Sequence, residues 1–263
     1  MPRLTKRPKI TITAAAPPKR SRRADKAGNF PEHISGQLDV KGSRGVKAYE
    51  LLRTAIATGK LKPGARVLES ELATLLNMSR TPIREAIAAL EADGLVSVDN
   101  AGGRIVTKLD YQSVMELYAV REVLESTAAA LAARNASEVE LLALRDMIEL
   151  EERILGDAGK LADHNRRFHE AIYYCSHNRY LLKMLGYIQT AMLLLQPAGR
   201  TGSERRETAL LEHRAIVDAI EARDPPASEA AIRKHVRRAQ QARIKLMLQM
   251  DQSVSRVVPA AQD

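Results

Sequence analysis

The chain has 263 residues, which suggests one large domain or two ordinary ones, and 45% of the residues are hydrophobic. Aromatic residues make up only 3%, and the apolar residues are mostly Leu, Ala and Ile, which favours helices over a strand-rich core. A single cysteine, Cys175, excludes an internal disulfide, and no long uncharged apolar run predicts a membrane span. We therefore expect a cytoplasmic, mostly α-helical protein.

The formal net charge of +9 is concentrated at one end of the chain. Residues 1–45 hold eleven Lys and Arg against three Asp and Glu, whereas residues 109–263 hold twenty-one against twenty-two. Residues 1–43 are rich in Pro, Lys, Arg and Ala without a sustained hydrophobic period, so we expect a disordered basic tail. The global charge is therefore weak support for DNA binding by the folded part, which must be argued from motifs.

A winged helix-turn-helix is predicted over residues 44–108. Apolar residues recur at helical spacing within Val46–Ala57, and Gly59 ends this first helix. Two short helices follow, separated by a polar break at Asn77–Ser79, and Pro82 is compatible only with the first turn of the second. Two β-branched runs joined by Asp-Asn-Ala-Gly-Gly then predict a small β-hairpin wing.

The second helix of such a pair normally enters the major groove by its N-terminal end. Here that end reads Ser-Arg-Thr-Pro-Ile-Arg-Glu, and its two arginines lie one turn apart on one face. Arginine can bind guanine O6 and N7 with two hydrogen bonds, while hydroxyl groups and a glycine-rich wing suit backbone contacts. The candidate DNA-binding residues are Ser79, Arg80, Thr81, Arg84, Gly102, Gly103 and Arg104. The alternative is that both arginines lie on an ordinary solvated helix face.

The rest of the chain predicts six helices, at roughly 111–134, 137–155, 158–176, 179–197, 203–223 and 227–250. Asp110 and Ser137 are the predicted N-cap residues of the first two. These helices predict a C-terminal all-α, six-helix antiparallel bundle over residues 109–250. We expect the remaining residues, 251–263, to be disordered.

Three histidines fall on three different predicted bundle helices, each near an apolar stripe: His169, His213 and His235. Neutral imidazole is the commonest transition-metal ligand, so the three rings would form one metal site if the bundle brought them together. Asn165 lies one turn before His169 and is expected to point the same way. Scattered histidines are also common as ordinary polar or core residues, so the residues alone leave both interpretations open.

The segment Gly59–Val98, GKLKPGARVLESELATLLNMSRTPIREAIAALEADGLVSV, resembles the winged helix of the GntR family of bacterial regulators. Four later segments resemble the FCD domain, which is the C-terminal domain of the FadR branch of that family: ELYAVREVLES, NRRFHEAIYYCSHNRYL, EHRAIVDAIEARD and AIRKHVRRA. The resemblance implies a homodimeric transcriptional regulator, usually a repressor, that binds a palindromic operator in double-stranded DNA. It also implies that Arg80 and Arg84 read the bases.

Many FCD domains hold a divalent metal with one Asp and three His, and the resemblance places these ligands at Asn165, His169, His213 and His235. Asn165 departs from the usual aspartate, and a neutral amide oxygen is a weaker ligand than a carboxylate. The resemblance further implies zinc or nickel, and a small organic or sugar acid as effector whose carboxylate pairs with Arg121. The alternative is that Arg121 only forms a cap or a salt bridge inside the bundle.

Three other classes of function compete with this interpretation. A metal-dependent hydrolase would need a general base beside the metal, and the sequence has no His-Glu-x-x-His run. A metal-responsive regulator without an organic effector would need tighter, charge-matched ligands than Asn165 provides, and an architectural DNA protein has no need for a ligand-binding bundle. We therefore predict a regulator, not an enzyme, that is controlled by a carboxylate effector at a metal-containing pocket.

Overall fold

The structure is a computed structural model, and it describes residues 42–195 and 203–257. Over these ranges the chain forms nine helices and one two-stranded antiparallel sheet. Of the basic tail predicted over residues 1–43, residues 1–41 lie outside the described residues. A search of the described helices finds none with the length and apolar character needed to cross a membrane.

The N-terminal domain is a winged helix-turn-helix, as predicted. Its elements are α1 Arg44–Ala57, α2 Glu69–Leu75, α3 Arg80–Ala92, β1 Val96–Val98 and β2 Arg104–Val106. A turn over residues 76–79 separates α2 from α3, and the strands pair in antiparallel register with Ser97 opposite Ile105. The hairpin follows directly after α3, which is the second helix of the helix-turn-helix and is called the recognition helix below. The wing therefore lies close to this helix in the sequence.

Local signals place the ends of these elements. Pro82 lies in the first turn of α3, where its missing N–H would have no helical partner. Gly94 and Gly102 have φ angles of 72° and 78°, a left-handed conformation that glycine adopts readily at a helix end and a hairpin turn. The apolar faces of the three helices pack into one core that includes Leu72 and Ile87. The element boundaries of this small N-terminal domain, called the head below, are therefore set largely by local sequence.

The C-terminal domain is an antiparallel bundle of six helices. They are α4 Tyr111–Asn135, α5 Glu138–Arg153, α6 Ala158–Cys175, α7 Arg179–Met192, α8 Ser203–Glu221 and α9 Pro225–Val257. α4 packs along α9. α8 also packs against α9, and a short turn joins these two helices. Asp110 and Ser137 accept backbone hydrogen bonds as the N-caps of α4 and α5. The predicted six-helix bundle and both predicted caps are thus confirmed.

The last helix differs from its prediction at both ends. It begins at Pro225 rather than residue 227, because proline is favourable in the first turn of a helix. It ends at Val257 rather than residue 250, because no Gly or Pro lies between Pro226 and Val257, and Pro259 follows two residues after the helix end. Residues 251–257 are therefore helical, contrary to the disordered end expected over 251–263, and the rest of that segment lies outside the described residues.

The two domains meet at the end of α7. Leu194 is buried in the core of the N-terminal domain, whereas the next residue, Leu195, is buried in the core of the bundle. Leu109, in the segment that connects the domains, packs against both cores. The end of α7 therefore packs against both domains, and a displacement of this helix end would change the packing of both.

Candidate functional site

The predicted base-reading residues lie at the exposed N-terminal end of α3. Arg80, Thr81 and Arg84 are exposed, and Ser79 precedes the helix in an extended conformation. The Ser79 side chain makes no capping hydrogen bond, so its hydroxyl and the free N–H groups of the first turn are available to a phosphate. The geometry is that of a helix end that can enter a major groove.

Two cations of this surface share one carboxylate. The guanidinium of Arg84 lies 3.1 Å from Glu69, the first residue of α2, and Arg104 of the wing lies 3.6 Å from the same side chain. The hydrogen bond from Arg84 lowers the pKa of Glu69. Arg104 also pairs with Glu91 at 2.7 Å. These exposed ion pairs join α3 and the wing to the start of α2 and contribute little to stability.

Hydrogen bonds to Asp99 shape the tip of the wing. The N–H of Gly102 donates to the Asp99 carbonyl oxygen at 3.0 Å, and the N–H of Gly103 donates to its carboxylate at 2.7 Å. Both glycine N–H groups are therefore already used. The tip carries no bulky side chain at these two glycines, and Arg104 directly follows them.

Three histidines from three helices meet in the interior of the bundle. His169 on α6, His213 on α8 and His235 on α9 are all buried, and their side chains expose 5%, 0% and 3%. The ring centroids of His213 and His235 are 4.7 Å apart, and His169 lies 5.7 Å and 5.1 Å from them. One ring nitrogen of each lies within 4.8 Å of the others. The structure brings together side chains that are far apart in the sequence.

A buried glutamate lies beside each of these histidines. The glutamates come from α4, α5 and α8, and each is at least nine-tenths buried. The pairs, with their Nδ1-to-oxygen distances, are His169–Glu125 at 2.9 Å, His213–Glu151 at 2.8 Å and His235–Glu212 at 2.9 Å. At His213 and His235 the carboxylate accepts a hydrogen bond from Nδ1, which leaves the lone pair of Nε2 free for a ligand, whereas Nδ1 of His169 lies close to Glu125 without a hydrogen bond. This arrangement is typical of histidines that bind metals.

The unpaired ring nitrogens fit a metal ion. Nε2 of His169 and Nε2 of His213 are buried and have no hydrogen-bond partner among the described residues. A buried polar atom without a partner costs free energy, which a bound cation would offset. Burial lowers the pKa of His169 and that of His235, so both rings are neutral near pH 7 and able to coordinate. The cluster can therefore hold a divalent transition metal ion.

Asn165 lies on the wall of a cavity that opens beside the cluster. It is half-buried on α6, one turn before His169, and both residues line this cavity together with His235. The cavity has a volume of about 730 Å³. Pockets of this size commonly bind small organic molecules. The position predicted for a fourth ligand thus lies on the cavity wall that also includes two of the histidines.

Arg121 also lines the cavity, and its guanidinium forms a buried salt bridge with Glu125 one turn along α4. The salt bridge inside the bundle, which the sequence left open as an alternative, is therefore present. Burial by itself would raise the pKa of Glu125, but the positive charge of Arg121 outweighs it and lowers that pKa. Glu125 thus connects the arginine to the histidine cluster as a charged carboxylate.

Sequence reasoning missed the three glutamates and a fourth histidine. His164 is buried, with its Nε2 3.9 Å from the Glu151 carboxylate. One of the glutamates carries a signal that a search for buried polar pairs could have used, because Glu125 follows Arg121 by one helical turn. Glu151 and Glu212 show no comparable signal, because their histidine partners lie 62 and 23 residues away.

An exposed arginine-bearing helix end in one domain, with a buried histidine cluster beside a cavity in the other, is typical of a DNA-binding regulator. Comparison with known families agrees. Residues 45–106 match the family model of bacterial regulatory proteins of the gntR family, and residues 116–238 match the FCD domain. The chain belongs to the GntR family of bacterial transcriptional regulators. The function of this family is regulation, so the hydrolase alternative is excluded and the chain is not an enzyme.

Known relatives support the same assignment. YdhC of Bacillus subtilis, an uncharacterized HTH-type transcriptional regulator, is 34% identical over 202 residues, which cover 76% of this chain and 90% of YdhC. A probable D-xylose utilization operon transcriptional repressor of Paenarthrobacter nicotinovorans is 34% identical over 187 residues, which cover 69% of this chain and 80% of the relative. The solved structure of E. coli McbR/YncC has the same fold, with a TM-score of 0.69 at 24% identity, covering 78% of this chain and 99% of that one.

Proposed function

We propose that this chain is a transcriptional repressor of the FadR branch that leaves its operator when a small organic or sugar acid binds beside a metal ion in the bundle. The observation that carries the proposal is the buried cluster of His169, His213 and His235 at the wall of a large cavity. The relative from Paenarthrobacter nicotinovorans, which is described as a repressor, supports the direction of the response.

The chemistry of the cluster favours zinc or nickel, since imidazole nitrogen suits both ions. His169, His213 and His235 would hold the ion through their free ring nitrogens, and Asn165 would add an amide oxygen. Such an ion, when bound, supplies positive charge at the cavity wall that attracts a carboxylate. Arg121 would lie beside that carboxylate, although Glu125 already neutralises much of its charge.

The size of the cavity favours an organic effector over a response to metal alone. A space of about 730 Å³ is far larger than one metal ion with its ligands needs. A metal-responsive regulator without an organic effector would leave most of this space without a role. The cavity therefore supports a ligand that binds next to the metal, with the metal as a permanent part of the site.

On the DNA side, we propose that two copies of the chain bind one palindromic operator, with one recognition helix in each half-site. The exposed Arg80 and Arg84 would read base edges in the major groove. The remaining residues of this surface would contact the DNA backbone; they are Ser79, Thr81, Gly102, Gly103 and Arg104.

The end of α7 contacts both the cavity in the bundle and the N-terminal domain, so it can couple effector binding to DNA binding. Met192, Leu193 and Leu195 line the cavity, while Leu194 is buried in the core of the N-terminal domain. An effector that displaces this helix end would change the placement of the head. A coupling free energy of about 1–3 kcal/mol between the two sites is typical of allosteric proteins and is enough to release DNA.

The test starts from the full-length protein loaded with zinc. Selection from random double-stranded DNA should yield a two-fold symmetric operator, and a panel of small carboxylic and sugar acids is then screened for release of that operator. We expect at least one acid to weaken binding in the wild type and not in His235→Ala. His177→Ala removes an exposed histidine and is the matched control. Protein that carries no zinc after loading, or DNA binding that no acid changes, would contradict the proposal.

A further inference from the structure

The cavity extends well beyond the histidine cluster. Along α9 its lining residues run from His235 to Leu246, which is about 16 Å at the rise of an α-helix. The cavity lining also includes residues of α1 in the N-terminal domain, among them Arg53 and Thr54. A small acid bound at the histidines would therefore fill only part of a space that is also lined by the DNA-binding domain.

Two arginines lie at the same level, toward the end of the cavity that is away from the histidines. Arg206 on α8 precedes His213 by seven residues, and Arg243 on α9 follows His235 by eight. Because α8 and α9 run antiparallel and pack together, both arginines lie about 10–12 Å along the helices from the histidines. Both line the cavity. Their guanidinium groups can therefore act on one ligand.

These two arginines differ from the other arginines of the cavity in having no salt bridge with a described residue. The other four are paired with carboxylates: Arg53–Glu50, Arg121–Glu125, Arg166–Asp163 and Arg205–Glu212. In the part of the chain that the structure describes, no carboxylate therefore forms a salt bridge with the two arginines at this end of the cavity.

Buried polar atoms at the same end also lack partners. Nε of Arg206 is buried without a hydrogen-bond partner in the described part of the chain, and so is the amide nitrogen of Gln189 on α7. Gln189 lines the same cavity. Buried donors without acceptors are costly, and donors that converge on one cavity next to these arginines suit an anion.

We propose that Arg206, Arg243 and Gln189 form an anion subsite, and that the effector is an elongated molecule with an acidic group at each end. One acid would lie at the histidine cluster, so this inference rests on the proposed function, and the second acid would lie at the arginines. The second group is a carboxylate or a phosphate, which makes the effector a long dicarboxylic acid or a phosphorylated acid. A ligand that fills the cavity also lies against α1, which lines it, and acts there directly on the head.

The experiment compares acids that differ only in the second charge. Full-length, zinc-loaded protein is titrated by calorimetry with α,ω-dicarboxylates from succinate to sebacate, each paired with the monocarboxylate of equal length. Gluconate and 6-phosphogluconate form a further pair, which separates a terminal phosphate from a carboxylate. We expect at least one doubly charged acid to bind about tenfold or more tightly than its partner, since hydrogen bonds to charged groups are worth that much.

Variants assign the preference to the subsite. In the double variant Arg206→Gln, Arg243→Gln, the advantage of the second charge should disappear, while binding of the monocarboxylate stays within about twofold. The double variant Arg214→Gln, Lys245→Gln removes the same charge from the same helices outside the cavity and should keep the advantage. Far-UV circular dichroism and melting temperature confirm that both variants fold.

The outcomes separate this inference from the proposed function. Equal binding of both members of every pair, lost when zinc is removed, would overturn the anion subsite and leave the metal-bound carboxylate intact. A preference that survives in the Arg206→Gln, Arg243→Gln protein would also overturn the subsite. Absence of binding by every acid would overturn both.

Discussion

The two domains place their functional side chains in opposite environments. In the N-terminal domain Arg80 and Arg84 are exposed, and the buried residues are apolar. In the bundle the histidine cluster and its glutamates are buried. Among the described residues, every buried polar or charged side chain belongs to the bundle. An exposed charge barely affects folding and is free to meet a polyanion, whereas a buried charge must be satisfied by its neighbours.

This difference predicts how mutations act in each domain. A change on the recognition helix should alter DNA binding and leave stability nearly unchanged. A change in the histidine cluster should alter metal binding and stability together, because the same contacts serve both. The four predictions below test this contrast, beginning with the largest effect.

The largest effect is expected for His213→Ala. The substitution removes the imidazole N–H that donates to the buried Glu151 carboxylate, and a buried charged group that loses a hydrogen-bond partner typically costs about 3 kcal/mol or more. Bound zinc, measured by elemental analysis, should fall in parallel with the free energy of unfolding, measured by urea denaturation. The control is His177→Ala, which removes a half-exposed ring paired with Glu140. Similar losses in both variants would show that burial of the cluster has no special role.

The recognition helix should show the reverse behaviour. Arg80→Ala and Arg84→Ala should each reduce discrimination by about tenfold or more at one base pair of each half-site. Binding to the selected operator and to single-base variants, measured by fluorescence anisotropy, gives this number. Melting temperatures should stay near that of the wild type.

The control for these arginines is Arg134→Ala, which removes an exposed arginine at the end of α4. It should leave discrimination unchanged. Equal weakening of Arg80→Ala on operator and on scrambled DNA would mean that this side chain contacts only phosphates, and would contradict base reading.

A smaller effect, and a gain, is expected for Asn165→Asp. The substitution adds a negative charge to an oxygen ligand at the same place on the cavity wall, so zinc should bind about threefold to tenfold more tightly. Competition with a chelator of known affinity measures the change. Asn178→Asp, at the N-cap of α7, changes an asparagine to the same residue away from the cluster and should leave zinc affinity unaltered. Unchanged zinc affinity in Asn165→Asp would remove this residue from the metal site.

The smallest effect concerns Glu140, in the capping box of α5. Hydrogen bonds from the Ser137 backbone and from His177 lower its pKa to about 2. A carboxyl group with a lowered pKa stabilises the folded state above the pKa of the unfolded state, and this contribution is lost as pH falls toward 2. Glu140→Gln should therefore cost about 1 kcal/mol or less at pH 7, and the difference from wild type should shrink below about pH 4.

Urea denaturation at several pH values measures this difference. Glu149→Gln, on the exposed side of the same helix, is the control and should show no such pH dependence. A difference between wild type and Glu140→Gln that stays constant down to pH 3 would contradict the assigned cause.

The sequence by itself determined the DNA-binding head and the helical nature of the bundle. Pro82 and Gly94 act on the residues next to them, so they place the ends of α3 wherever the helix packs. Arg80 and Arg84 share a face because they are one helical turn apart. The end of α9 was predicted too early: no Gly or Pro lies between residue 250 and Val257, and the local stop signal is Pro259, two residues beyond the last helical residue.

Only the tertiary structure decided which side chains meet inside the bundle. Glu151 and His213 are 62 residues apart, and Glu212 and His235 are 23 apart, so no helical period connects them. The salt bridge of Arg121, the volume of the cavity and the packing of Leu194 into the head likewise depend on how whole helices are placed. Local spacing fixes the face on which a side chain lies, but the partner across a core is set by packing between helices, which a single sequence does not encode in any local pattern.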